Sequence, residues 1–315
     1  MLHTRNNAAL TSPGSQGGDE LKQVSVAVAI ATAGRRDTLS QVLGELVHQQ
    51  RAPARVAVCP AKPEDADLEA FARLPFKVDV VSGPVGLCAQ RNALMRHLSD
   101  VDVVLMLDDD FVMEPHYVGE CADLFARHPD VVMTTGEVIA DGIMGPGLEL
   151  ADAQAKLAAD RMPGTERLRD VHNGYGCNMA IRMAPVRAHG MTFDERLPLY
   201  GWLEDVDFSR RIAEYGRIVK SQRCRGVHMG VKRGRSPGKR LGYSQVANPY
   251  YMWRKGSLSA RFASIQMARN LASNFGKMLR PEPWVDRTGR VRGNLLAMSD
   301  LVRGRIDPQR ARELS

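Results

Sequence analysis

Four short apolar runs, at residues 24–30, 55–58, 77–81 and 101–107, alternate with helix-like stretches and constrain the fold more than any other feature. The run at 101–107 ends in the near-continuous Val103-Val104-Leu105-Met106-Leu107, the pattern of a strand buried on both faces. Between the first two runs, Leu39, Val42, Leu43, Leu46 and Val47 recur at spacings of three and four, which predicts a helix over 37–50. A short helix is predicted near 66–73 and a longer one over 87–98. Strands linked by helix-length crossovers define an α/β fold with a Rossmann-like, mostly parallel central sheet flanked by helices.

Past Gly136 the pattern loosens. Gly142, Gly145, Pro146 and Gly147 predict a loop, with a helix over 151–161 and a strand over 177–183. A helix over 203–215 is stopped by Gly216. From about Gln245 the reading is one or two amphipathic helices, with Met252, Leu258, Phe262, Ile265, Met267, Leu271 and Phe275 as apolar positions.

At 315 residues and 44% hydrophobic, the chain can bury a full core without covalent staples. Its five cysteines (Cys59, Cys88, Cys121, Cys177, Cys224) are odd in number and scattered, with no CxxC pair. That argues against a zinc ribbon or a disulfide framework and for a reducing cytosol. Residues 1–23 lack the apolar core of a signal peptide and read as a flexible arm. No run approaches the roughly 20 apolar residues that span a bilayer. Charge is unevenly placed: from Gly230 onward there are 18 Lys and Arg against 5 Asp and Glu, net +13, which leaves −6 for the rest of a +7 chain. Such a tail favours anionic partners, whether lipid headgroups, nucleic acid or diphosphates.

The residues that carry chemistry lie where strands end. Asp108-Asp109-Asp110 follows directly on the buried strand, and ligands of doubly wound sheets bind beyond the carboxyl ends of strands. Alternate side chains of an extended chain point the same way, so Asp108 and Asp110 can share a hard divalent ion such as Mg²⁺ or Mn²⁺. The rival reading is an acidic cap or solvated turn ahead of a helix near Pro115. Glu204, Asp205 and Asp207 open a predicted helix, where the macrodipole alone favours acids. Functionally, one of them is a general base, with Gly201 and Trp202 shaping an acceptor pocket beside Glu204. His228, between glycines at the end of a probable strand, is uninformative alone.

Taken in order, residues 26–36, 86–92, 108–110, 176–183, 201–208 and His228 resemble the family 2 inverting glycosyltransferases of the GT-A fold, a resemblance that covers roughly 24–230. It implies that Ala31, Thr32, Ala33 and Arg35 belong to the loop that holds the donor nucleotide, and that Arg91 and Asn92 line the nucleotide site. It further implies that Asp108 and Asp110 are the D-x-D pair, with Asp109 beside them on the donor side and Asp110 the direct metal ligand. Asp205 matches the catalytic base and His228 a third metal-site ligand. One departure is that the second strand ends in Cys59-Pro60, where many relatives carry acids that read the nucleobase, so either Asp65 or Asp67 substitutes or the base is recognised differently.

The resulting expectation is a metal-dependent inverting hexosyltransferase using Mn²⁺ or Mg²⁺. It moves a sugar from a nucleotide-diphosphate donor to a saccharide or lipid-linked acceptor in polysaccharide or glycolipid synthesis. The predicted catalytic domain spans 24–230, with a nucleotide-binding half (24–110) and an acceptor half (111–230). A basic helical extension follows over 231–315. Its segment 248–255 interleaves aromatics with cations, either as a contact for anionic membrane or lipid diphosphate, or as a helix packed on the catalytic domain. The expected location is cytoplasmic, peripheral at the inner face of the membrane. Two rivals are a sugar nucleotidyltransferase, against which the single glycine of 31–36 counts, and a nucleic-acid-binding protein, against which the acidic body counts.

Overall fold

In a computed structural model, residues 23–234 and 236–314 are described; the expected N-terminal arm lies outside them apart from Gln23. Nine strands form one sheet: β1 (Val26–Thr32), β2 (Arg55–Pro60), β3 (Val78–Val80), β4 (Val103–Asp108), β5 (Phe111–Met113), β6 (Val131–Asp141), β7 (Leu168–Asp170), β8 (Asn178–Arg182) and β9 (Arg217–His228). Their order is β3-β2-β1-β4-β8-β6-β9-β5, with β7 also on β9. The first four in that order pair in parallel, and β8 runs antiparallel between β4 and β6. Since β6 and β9 pair in parallel, six of the nine strands point the same way. The helices are α1 (Arg36–Glu45), α2 (Leu68–Phe71), α3 (Leu87–His97), α4 (Tyr117–Arg127), α5 (Leu150–Ala159), α6 (Met183–His189), α7 (Glu204–Ile212), α8 (Gly238–Lys255), α9 (Ala260–Lys277) and α10 (Arg287–Val302).

The period of two along the central strands separates two cores. Val26, Val28 and Ile30 of β1, with Val103, Leu105 and Leu107 of β4, face Leu39, Val42 and Leu43 of α1 and the apolar side of α4. Ala27, Ala29, Val104 and Met106 face the other way, onto Leu94 and Met95 of α3 and Phe208 of α7. Met252 and Ala263, from α8 and α9, join this second core.

Three helices, rather than one or two, follow residue 237, and the first begins seven residues before the predicted start and runs through Pro249. Glycines and a proline disguise them in the sequence. Gly242 and Gly293 let α8 and α10 touch through their backbones: a β-carbon on either would lie 2.1 Å from the carbonyl oxygen of Arg290 or Lys239 respectively. Buried amides complete the union. Asn274 of α9 donates to Gln245 of α8 (2.7 Å) and Asn294 of α10 (2.9 Å), and Arg287 donates to Asn274 (2.9 Å).

Candidate active site

The ends of β4, β6 and β9 deliver Asp108, Asp110, Asp141 and His228 to one point. Ligand atoms of Asp108, Asp110 and His228 lie within 4.8 Å of one another. His228 Nε2 stands 3.3 Å from Asp110 Oδ1 and 3.9 Å from Asp108 Oδ2, while Nδ1 is 2.9 Å from Asp141 Oδ1. Asp141 therefore accepts a hydrogen bond from Nδ1–H and leaves Nε2 turned to the two aspartates. Tyr175 supports the arrangement, donating its hydroxyl to Asp141 Oδ2 at 3.0 Å and setting its ring edge-on to the imidazole.

Asp110 is fully buried. Its Oδ2 accepts the Val231 N–H at 2.7 Å, whereas its Oδ1 is buried with no hydrogen-bond partner among the described residues. A buried orphan carboxylate oxygen facing an imidazole nitrogen and a second carboxylate is a donor set that fits a divalent cation. Burial would lower the His228 pKa, but the facing carboxylate of Asp110 and the hydrogen bond to Asp141 outweigh it and raise it to about 10. Burial likewise opposes ionisation of Asp110, yet His228 holds it down at about 2. Asp109 differs: burial carries it up to about 6 against the pull of Arg35, whose guanidinium lies 2.7 Å from Asp109 and 3.3 Å from Asp110. Thr32 also donates to Asp109, at 2.6 Å.

Two cavities meet at this point. One, of about 200 Å³, is lined by Ala31, Thr32, Ala33 and Arg35 together with Asp108 and Asp109. Gln90 lies beneath it, tying the ends of β1 and β2 by donating to the Thr32 and Cys59 carbonyls. The other, of about 410 Å³, runs from Asp108, Asp110 and His228 past Tyr200 and Trp202 to Trp284, between α9 and α10. The two share Arg35, Asp108, Tyr200 and Ser236.

Behind the aspartates, α7 begins with buried Glu204 and half-buried Asp205. Arg91 of α3 reaches Glu204 at 2.5 Å, Asp108 at 3.4 Å and the Gly176 carbonyl at 2.8 Å. Asp205 accepts from the Gly176 N–H (3.0 Å) and from Val206 N–H (2.8 Å). Burial raises both acids, and Asp205 adds to the effect on Glu204, which reaches about 8 despite Arg91. The loop before α7 is strained at two points: Leu199 and Leu203 have positive φ, as does Gly201 between them, where glycine adopts it freely. Gly201 packs against Cys88 and Glu204.

The sequence-predicted residues are thus mostly brought together, with two exceptions. Asn92 is turned away from both cavities described above: its amide donates to the Phe193 carbonyl and Glu195 and accepts the Phe193 N–H. Asp65 and Asp67 are committed to backbone, the first to Gly34 and Lys62 N–H, the second to the start of α2. Asp141, Gln90 and Trp284 went unread. Asp141 offered no signal beyond a single acid before Gly142, at the end of a strand the sequence did not announce. The segment 248–255 is largely turned inward, with Asn248 and Met252 buried and Tyr251 and Lys255 bonded to Asp194; Trp253 and Arg254 stay exposed.

The sheet order and the site at its strand ends define a GT-A fold. The model of the glycosyltransferase-like family 2 matches residues 23–223, and the chain belongs to that family. The glucosyl-dolichyl phosphate glucuronosyltransferase of Haloferax volcanii is 24% identical over 168 residues, 51% of this chain and 52% of that protein, so the match spans about half of the relative. Among solved structures, GalNAc-T7 with UDP, GalNAc and Mn²⁺ superposes with a TM-score of 0.54 at 14% identity, covering 93% of this chain and 56% of that one. Residues 1–349 of S. aureus TarS superpose at 0.53 and 14% identity, covering 92% and 87%. Among the described residues no helix is long and apolar enough to cross a membrane.

Proposed function

We propose that the chain transfers a glycosyl unit from a nucleotide-diphosphate sugar to an acceptor hydroxyl, with inversion at the anomeric carbon. The observation that carries this is the meeting of two cavities on Asp108, with the Asp108, Asp110 and His228 ligand atoms at the junction and Asp205 behind them. The smaller cavity takes the nucleotide and the larger the acceptor. A divalent cation held by Asp108, Asp110 and His228 would neutralise the diphosphate and stabilise the charge of the departing nucleotide. Arg35, anchored on Asp109 and Asp110, adds a fixed positive charge at the shared wall. Asp205 receives the acceptor proton as the hydroxyl oxygen attacks the face opposite the leaving group. Its raised pKa makes it a stronger base than an ordinary carboxylate. Arg91 keeps the α7 acids and Asp108 in register.

The relative's name, with its dolichyl phosphate, and the basic C-terminal third support a lipid-linked or saccharide acceptor and peripheral contact with an anionic membrane on its cytoplasmic side. Nucleic acid has no place in this reading. Calorimetric titration of UDP, GDP and dTDP, with Mn²⁺ or with EDTA, tests the proposal. One nucleotide should bind only with metal and lose binding in Asp110→Ala. Binding of none of them, or binding indifferent to both EDTA and Asp110→Ala, refutes it.

A further inference from the structure

Among the described residues, helix α9 carries an apolar face that is left exposed. Ile265, Ala268, Ala272 and Phe275 follow one another at spacings of three and four, hence on one side, and all are exposed. Ile265 and Phe275 keep 43% and 41% of their surface. The stripe continues past the helix end into Met278 and Leu279, the latter 85% exposed, and on to Trp284. Exposed Arg269 flanks it on the helix, Arg261 stands one turn ahead of it on the same side, and exposed Arg280 follows in the turn beyond the helix end. Between residues 260 and 285 the one carboxylate is Glu282, already bonded to Lys277 and Arg287. Trp284 and the 78%-exposed Met144 also line the larger cavity, so the stripe ends at that cavity's mouth.

We propose that this face of α9, with the turn through Trp284, docks on an anionic lipid bilayer and sets the mouth of the larger cavity at headgroup level. An apolar stripe edged by cations, with a tryptophan at the boundary, is the pattern of a helix lying in a membrane interface. A second copy of the chain would bring the same positive edge and be repelled, and a nucleic acid would have no use for the apolar stripe. The link between docking and acceptor entry rests on the transferase reading above; the docking itself does not. The surface lies apart from the aromatic segment 248–255, most of which α8 turns inward.

The full chain is sedimented at low salt with phosphatidylcholine vesicles, with and without phosphatidylglycerol. Binding is expected to the anionic vesicles, to fall at least about tenfold in Phe275→Asp/Leu279→Asp, and to be unchanged in Trp253→Ser, which removes the exposed aromatic of α8. Nucleotide titration of the same variants should match the wild type and show them folded. Failure of the wild-type chain to bind anionic vesicles, equal binding by the double variant, or a dimer that the double variant dissolves would each overturn the proposal. Vesicle binding without nucleotide binding would instead sink the transferase reading and leave the docking surface standing.

Discussion

Removing the Asp141 carboxylate should weaken metal binding without touching a metal ligand. Its Oδ1 lies 2.9 Å from His228 Nδ1 and 3.0 Å from the Ile143 N–H, and its Oδ2 accepts from Tyr175. In Asp141→Ala the imidazole loses the acceptor that fixes its tautomer, and its Nε2 proton is no longer disfavoured. A hydrogen bond to a charged partner contributes about 1.5–3 kcal/mol. Carboxylates behind a metal-bound histidine change affinity by roughly 10–100-fold, which is about 1.4–2.7 kcal/mol on the same scale. Mn²⁺ affinity, measured by calorimetry with the bound nucleotide at saturation, should therefore fall within that range in Asp141→Ala. Asp141→Asn keeps an amide oxygen that can accept the Nδ1 proton but loses the charge, so its loss should be smaller. The reasoning fails if Asp141→Ala binds Mn²⁺ within about threefold of wild type while His228→Ala does not bind it.

Asp205→Asn keeps the side-chain shape and should lower turnover by about 10²–10⁴-fold with nucleotide affinity intact; full turnover would remove Asp205 from the base role. Gly242→Val puts a side chain where the α8–α10 contact leaves no room and should cost at least about 1–3 kcal/mol, read as a lower melting temperature; an unchanged melt would mean the helices are not held by that crossing. Glu204 rises from 4.5 to about 8 on folding, so the stability held by its protonated form is complete below pH 4.5 and lost as pH climbs through 8. Glu204→Gln should accordingly flatten the loss of melting temperature between pH 4.5 and 8, and an unflattened curve would show that Glu204 is ionised throughout.

How much of this was legible in the sequence depends on which strands are buried on both faces. The first half was readable because β1, β2 and β4 are continuous apolar runs and α1 and α3 separate them cleanly. Of β9 only the end at His228 was legible, and the rest was obscured by its own cations: Arg217, Lys220, Arg223 and Arg225 each find a carboxylate in the folded chain, at Asp130 and Asp170, Glu137, Glu120 and Asp160. Those partners come from remote parts of the chain, so no local pattern announces them. β6 is similar, with Thr134 and Thr135 buried inside it. The aspartates and His228 were visible because each ends a strand, whereas Asp141 needed β6 to be known first. α8 and α10 hide behind Gly242, Gly293 and Pro249, residues that break isolated helices but here serve a close crossing.

The loop from Leu199 to Leu203 also sets terms for change in this protein. Leucine at positive φ is disfavoured by about 1–3 kcal/mol per residue, and the surrounding contacts must hold both Leu199 and Leu203 there. One such contact is the Leu87 N–H donating to the Leu199 carbonyl at 2.8 Å, from the first residue of the helix that also carries Gln90 and Arg91. Glycine at either position would relax the backbone, but it would also loosen Tyr200, which lies between them on the wall of both cavities. The two leucines thus hold that wall in shape at a cost in stability.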